Sequence, residues 1–225
     1  VLNAEKWEGC EQACVVLAKL DHKPSGVRMV ELLSHSRAEV QVASAWALTQ
    51  LRIEDRLPDM LEYTQSILER ISSGELSTID PWVTLPVAHL FIGMGDQKYE
   101  PATPVLLKYA RKRLELGVYA RPAAAWALGM IHESAGPPDV TQELLGRLND
   151  RDPLAPELDE MRHMCAISLG RMDAKRALPS LRKQSENLWA CYWAIERIAG
   201  DPMPPPKRKT IQVGDWFLTP ASGSN

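Results

Sequence analysis

Phenylalanine occurs only twice in 225 residues, and no run of roughly 18 or more apolar residues exists, the length that a bilayer-crossing helix needs. A membrane span is therefore excluded. Four cysteines without a close-paired framework do not describe a disulfide scaffold, and they lean toward a reducing compartment, the cytoplasm. Neither sign of charge dominates. A formal net charge of −3 provides no general field to draw in nucleic acid or an anionic membrane. No stretch sustains two-residue alternation, which argues against strands. Gly-rich phosphate loops, Gly-x-Ser-x-Gly elbows and His-Glu-x-x-His helices are all missing. No targeting leader is recognisable, and a first residue of Val1 leads us to expect an upstream segment that has been removed or left out.

What is present is a repeat. The segments Val40–Leu51, Arg121–Ile131, Arg162–Met172 and Leu188–Ile198 superimpose when Leu48, Leu128, Leu169 and Ile195 are aligned. Ala47, Ala127, Ser168 and Ala194 then share the preceding column, and Leu51, Ile131, Met172 and Ile198 share another three residues on. Weaker copies lie in Gly9–Leu20 and Leu85–Gly95. Large residues at helical spacing mark a buried face, and small ones admit a close neighbour. Before each copy comes a second amphipathic segment: Val27–Leu33, Met60–Ile71, Val105–Leu116, Val140–Leu148 and Ala174–Gln184.

The punctuation fits helix ends. Ser36 to Glu39 reads as a capping box, Thr103-Pro104 and Arg121-Pro122 place proline in a first turn, and Gly74, Gly117 and Gly200 can close helices. The pattern predicts an all-α chain of about five antiparallel helix pairs over residues 1–200, with residues 201–225 as a Pro-rich linker and extended tail. The helix around Trp7–Leu20 lacks a first partner, and an upstream segment or another chain is expected to cover it, unless residues 1–4 and the Trp7 ring do so.

The stretch from Ser168 to Leu181, together with the two AWAL runs at residues 45–48 and 125–128, resembles the HEAT-like repeat of phycobilin-lyase-type bacterial proteins. The resemblance covers nearly all of residues 5–200, with residues 55–95 the least regular. It implies an α-solenoid that serves as a protein-interaction surface or scaffold. It also raises an alternative, an accessory or lyase-type factor handling a tetrapyrrole-like prosthetic group, which a visible absorbance spectrum of the purified protein would reveal.

Trp46, Trp126 and Trp193 fall in one column, two residues before the aligned Leu or Ile. That column lies away from the packing stripe of Val40, Ser44, Ala47 and Leu51. It is expected on the inner, concave side, where tryptophans would bind a protein partner or another domain of a longer chain. The competing expectation is that the three indoles fill core between adjacent pairs.

No catalytic, cofactor or metal residues are assigned. Arg162-His163 begins a helix as in the di-iron HEAT-repeat hydroxylases that act on deoxyhypusine, but Met164 follows where their pattern needs Glu. His132-Glu133 stands at the opposite end of its helix. Cys165 and Cys191 occupy equivalent positions and, with Cys10 and Cys14, read as small buried apolar residues. Lys108, Arg111, Lys112 and Arg113, and also Lys207 to Lys209, do not recur through the repeats as a nucleic-acid cradle would require. In the tail, Trp216, Phe217 and Leu218 are expected to dock on this chain's helices or on a partner, because exposing three such side chains forfeits roughly 1.5–3 kcal/mol each.

Overall fold

A computed structural model describes residue 2 and residues 6–77 and 81–205. Among the described residues there are eleven α-helices and no strand. They are α1 (Trp7–Lys19), α2 (Gly26–Leu32), α3 (Ala38–Leu51), α4 (Leu57–Ser72), α5 (Leu85–Asp96), α6 (Thr103–Ala110), α7 (Ala120–Ile131), α8 (Pro138–Asn149), α9 (Asp159–Arg171), α10 (Leu178–Gln184) and α11 (Trp189–Ala199). The odd-numbered helices form one row, each packed extensively on the next. Each even helix packs on the odd helix that follows it, whereas successive even helices touch one another far less.

The exits of the odd helices follow one rule. Asp21, Arg52, Lys98 and Asp173 all adopt left-handed backbone, with φ of 50°, 49°, 50° and 52°. In three of these exits the next N–H reaches back to the aligned column: His22 to Leu17 O at 2.9 Å, Tyr99 to Met94 O at 2.9 Å, and Ala174 to Leu169 O at 3.1 Å. This is the Schellman closure, here made without glycine. A 3-10 turn then begins two residues after each left-handed residue, at Lys23, Glu54, Glu100 and Lys175. The hydrogen bonds therefore add Leu17 and Met94 to the column that holds Leu48, Leu128, Leu169 and Ile195. The α7–α8 connection departs from the rule, because Ser134 (φ 63°) donates instead to Arg171 O on α9 at 2.9 Å.

Odd helices approach through the residues either side of that column. A Cβ built on Gly129 would lie 2.5 Å from Ser168 Cβ, and one on Gly170 would lie 2.9 Å from Ala194 Cα. On Gly95 it would meet Ala127 Cα at 2.9 Å, and on Gly93 it would meet Thr49 Oγ1 at 2.9 Å. Each of these four junctions thus sets the residue after the aligned column against the residue before it on the next helix. One member is always glycine: Thr49 faces Gly93, Gly95 faces Ala127, Gly129 faces Ser168, and Gly170 faces Ala194. Side-chain hydroxyls supply further ties, with Ser168 Oγ donating to Ala125 O at 2.7 Å and Thr49 Oγ1 to His89 O at 2.7 Å. Ser44 Oγ bonds Met29 O and so joins α3 to α2.

Three local expectations need correction. The Ser36–Glu39 capping box does not form. Arg37 is the N-cap without a side-chain cap bond, because Glu39 instead accepts Arg37 Nη2 at 2.8 Å. The helix expected over Val105–Leu116 stops at Ala110, since Arg111 turns to extended backbone and its carbonyl accepts Arg121 Nε at 3.1 Å. The segment Ala174–Gln184 is helical only from Leu178, its first residues being the Schellman exit and 3-10 turn.

Substituting Gly129 by Ala is expected to lower stability by about 1–3 kcal/mol through overpacking. A Ser168→Gly change in the same chain should recover part of that loss. Chemical denaturation of the two single variants and the double variant measures this coupling, and additive losses would contradict the contact.

Candidate functional site

The three tryptophans lie on one side of the odd row, and all three are half-buried. Neither sequence expectation describes them fully, because each ring packs against the core while keeping part of its surface outward. The inner edges rest on glycine. Trp126 Cζ3 lies 2.9 Å from where a Gly95 Cβ would stand, and Trp193 Cζ3 lies 2.9 Å from the equivalent point on Gly170. In the same register α5 and α9 present Ile92 and Ile167, also half-buried. The column therefore reads Trp46, Ile92, Trp126, Ile167, Trp193.

Guanidinium groups cover two of these rings. Arg171 Cζ sits 5.2 Å from the Trp126 ring centroid, and Arg197 Cζ sits 5.7 Å from that of Trp193, within cation–π range. Glu133 pairs with Lys98 and with Arg197, each at 3.0 Å. The Lys98 hydrogen bond and charge hold the Glu133 carboxyl below its ordinary range. Arg52 donates to Asp96 O at 3.0 Å. Arg171 Nη1 is buried with no hydrogen-bond partner. The surface thus combines indoles and branched aliphatics with guanidinium groups, a composition typical of interface hot spots.

No family model matches the sequence, and no characterised protein is significantly similar to it. The geometry carries the functional argument alone.

His132 Nε2 meets Thr103 Oγ1 at 2.9 Å, and His163 Nδ1 meets Asp159 O at 2.8 Å. Among the described residues no group of three His, Cys, Asp or Glu side chains is placed to share a metal ion, and no helix is long and apolar enough to cross a membrane. Cys10, Cys14, Cys165 and Cys191 are buried and outside any disulfide. Burial pushes the Cys14 and Cys191 thiols up to about 11 and about 12, which keeps them protonated and poorly nucleophilic. In the basic cluster, Lys112 pairs with Asp150 at 2.8 Å and Arg113 with Glu115 at 2.7 Å, while Lys108 is exposed. Lys207 to Lys209 and the tail residues Trp216, Phe217 and Leu218 lie outside the described residues.

One cluster escaped the sequence reading. Arg121 and Glu157 are wholly buried and pair bidentately, Nη1 to Oε1 at 2.7 Å and Nη2 to Oε2 at 2.6 Å. Burial alone would raise the Glu157 carboxyl. The Arg121 hydrogen bonds and charge, the Leu158 N–H and Arg147 outweigh that and hold it low. Arg162, in the same column one odd helix later, repeats part of the design. Its Nε donates to Leu148 O at 3.3 Å, as Arg121 Nε does to Arg111 O, and its Nη2 reaches Gln184 at 3.1 Å. In both cases an arginine at the start of an odd helix satisfies a carbonyl at the end of the preceding even helix. Two arginines in one column were the available signal; Glu157, in an irregular Pro-rich loop, gave none.

Replacing Arg121 by Ala removes the bidentate partner of a buried carboxylate, leaving it the longer Arg147 contact at 3.6 Å, and should cost about 3–5 kcal/mol, whereas the paired change Arg121→Met with Glu157→Leu should cost less than the two single changes combined. The pH dependence follows from the low folded pKa of Glu157. Its stabilisation is present above the unfolded value near about 4.3 and is lost as pH falls through the folded value. Thermal melts from pH 6 down toward pH 3 should therefore show a drop that the Met/Leu chain reduces.

Proposed function

We propose that this chain is a HEAT-like α-solenoid, an interaction or scaffold module that binds a protein partner on the face carrying Trp46, Trp126 and Trp193. The observation that carries this reading is the column of half-buried large apolar residues packed against the core, two of whose rings, Trp126 and Trp193, lie under arginines. Such side chains are already ordered, so a partner that covers them loses little further conformational freedom. The solenoid reading is supported by the shared exit geometry of four odd helices and by the tight odd row against the looser even row. Rows of helices that approach closely on one side and loosely on the other favour a curve toward the tight side, which supports a concave tryptophan face. Docking of Trp216, Phe217 and Leu218 on this chain's helices or on a partner belongs to the same proposal.

The test is affinity capture from the native host followed by mass spectrometry and a binding titration with the recovered protein. Trp126→Ala should weaken that binding by at least about 2 kcal/mol, the hot-spot threshold, with helical content unchanged by circular dichroism. Retention of full affinity by a Trp46→Ala, Trp126→Ala, Trp193→Ala chain that remains folded would overturn the proposal.

A further inference from the structure

Along the tryptophan face Arg52, Lys98 and Arg197 each reach an acceptor, whereas the Arg171 side chain has none among the described residues. Its guanidinium is half-buried over the Trp126 ring, and Nη1 is shut off from solvent without a hydrogen bond. Arg28 and Arg147 also carry an enclosed nitrogen without a hydrogen bond, but each of them pairs with a carboxylate. Burial disfavours the Arg171 charge, Glu133 and more weakly Asp96 favour it, and Arg197 opposes it. Glu133 is already engaged by Lys98 and Arg197. The site therefore holds an excess of positive charge, and a carboxylate is the group that it lacks. Beside it lies apolar surface. Met164, Ile167 and Arg171 follow one another at three- and four-residue spacing on α9, hence on one side of it, and both apolar members are half-buried against the core. Trp126 on α7 and Trp193 on α11 flank this strip.

We propose that the strip is the docking site of the chain's own tail, with Asp215 on Arg171 and Phe217 on Ile167. Composition is the first argument. Asp215 is the sole acidic residue after Asp201, and it directly precedes Trp216-Phe217-Leu218, so the missing carboxylate comes attached to large apolar side chains. An extended chain turns Asp215 and Phe217 to the same side about 7 Å apart, close to the step of about 5–6 Å between residues four apart on a helix. The point of departure is the second argument. Arg197, three residues before Gly200, reaches Glu133 and acts on Arg171, so α11 ends beside the site. Asp201 then pairs with Arg182 on α10 at 2.9 Å, and the path beyond Pro205 must return past α11. The ten peptide steps from Pro205 to Asp215 span up to about 31 Å at about 3.1 Å each, several times the roughly 8–10 Å between packed helices. A tether of this length sets an effective concentration of about millimolar, so a contact too weak to hold separate molecules together suffices within one chain. This inference deepens the reading of the tryptophan face as a docking surface and rests on it.

The test is disulfide trapping in the full chain at low concentration. Met164→Cys with Thr219→Cys places one thiol on the strip and the other two residues beyond Phe217, and it leaves Arg171, Ile167, Asp215 and Phe217 intact. Lys183→Cys with Thr219→Cys is the control, since Lys183 is exposed on α10 next to Arg182, where the chain leaves α11. The native cysteines are buried. Under mild oxidation the first pair should close within one chain well ahead of the control, and Asp215→Asn should slow it by about tenfold, the usual worth of a hydrogen bond to a charged group. Arg171→Gln should slow it equally with helical content unchanged by circular dichroism. Asp215→Asn decides the matter even where Arg171→Gln unfolds, because Asp215 belongs to none of the eleven helices. Equal closure of both pairs, closure indifferent to Asp215→Asn, or a bond that joins two chains would sink the assignment. Trapping needs no partner protein, so its failure leaves the partner reading standing, and that reading falls only with the tryptophan-to-alanine titration.

Discussion

The close approach of the odd helices governs the rest of this structure. Helix axes usually pack at about 8–10 Å, and the lower end of that range demands that a side chain be nearly absent at the contact. Glycine at Gly93, Gly95, Gly129 and Gly170 provides that absence at four successive junctions, each with a neighbour atom within about 3 Å of the missing Cβ. The gain is dense packing along the whole row, and the cost is the weak helix propensity of glycine. The tryptophans depend on the same feature. Trp126 and Trp193 rest on Gly95 and Gly170, so one glycine both admits the neighbouring backbone and seats the indole that faces outward.

Most of the helical architecture was legible in the sequence because its signals are local and repeated. Apolar spacing located the odd helices within a few residues, and aligning Leu48, Leu128, Leu169 and Ile195 identified four buried positions of one column. The α5 copy was harder to place. Its register shows only once Tyr99 is seen to bond Met94 O, since Met94, Gly93 and Gly95 share little composition with their counterparts. The helix starts were read less well. The residues that resemble a capping box did not form one: Arg37 took the N-cap position without a side-chain cap bond, and Glu39 paired with Arg37.

The tryptophan column shows where sequence reading stops. A spacing argument could name the column but could not say how far each ring is buried, since that depends on the Gly95 and Gly170 surfaces of other helices. The resulting half-buried state mixes the two expectations that the sequence left open. The Arg121–Glu157 pair was invisible for a related reason. Its partners are 36 residues apart, and Glu157 belongs to a loop whose path no periodicity encodes. Arg162 and Gln184 form a similar contact across 22 residues. These arginines hold even-helix ends to odd-helix starts, which makes them elements of the frame.

The double pairing of Glu133 has a mechanical consequence. Lys98 follows α5, Glu133 follows α7 and Arg197 belongs to α11, so one carboxylate ties three helices of the row and passes over α9. Along the row, stiffness comes from glycine contacts that dissolved ions cannot reach. Across the row, this exposed tie is screened over a Debye length of about 10 Å at 0.1 M salt. Raising the ionic strength therefore weakens this tie and leaves the buried glycine contacts as they are.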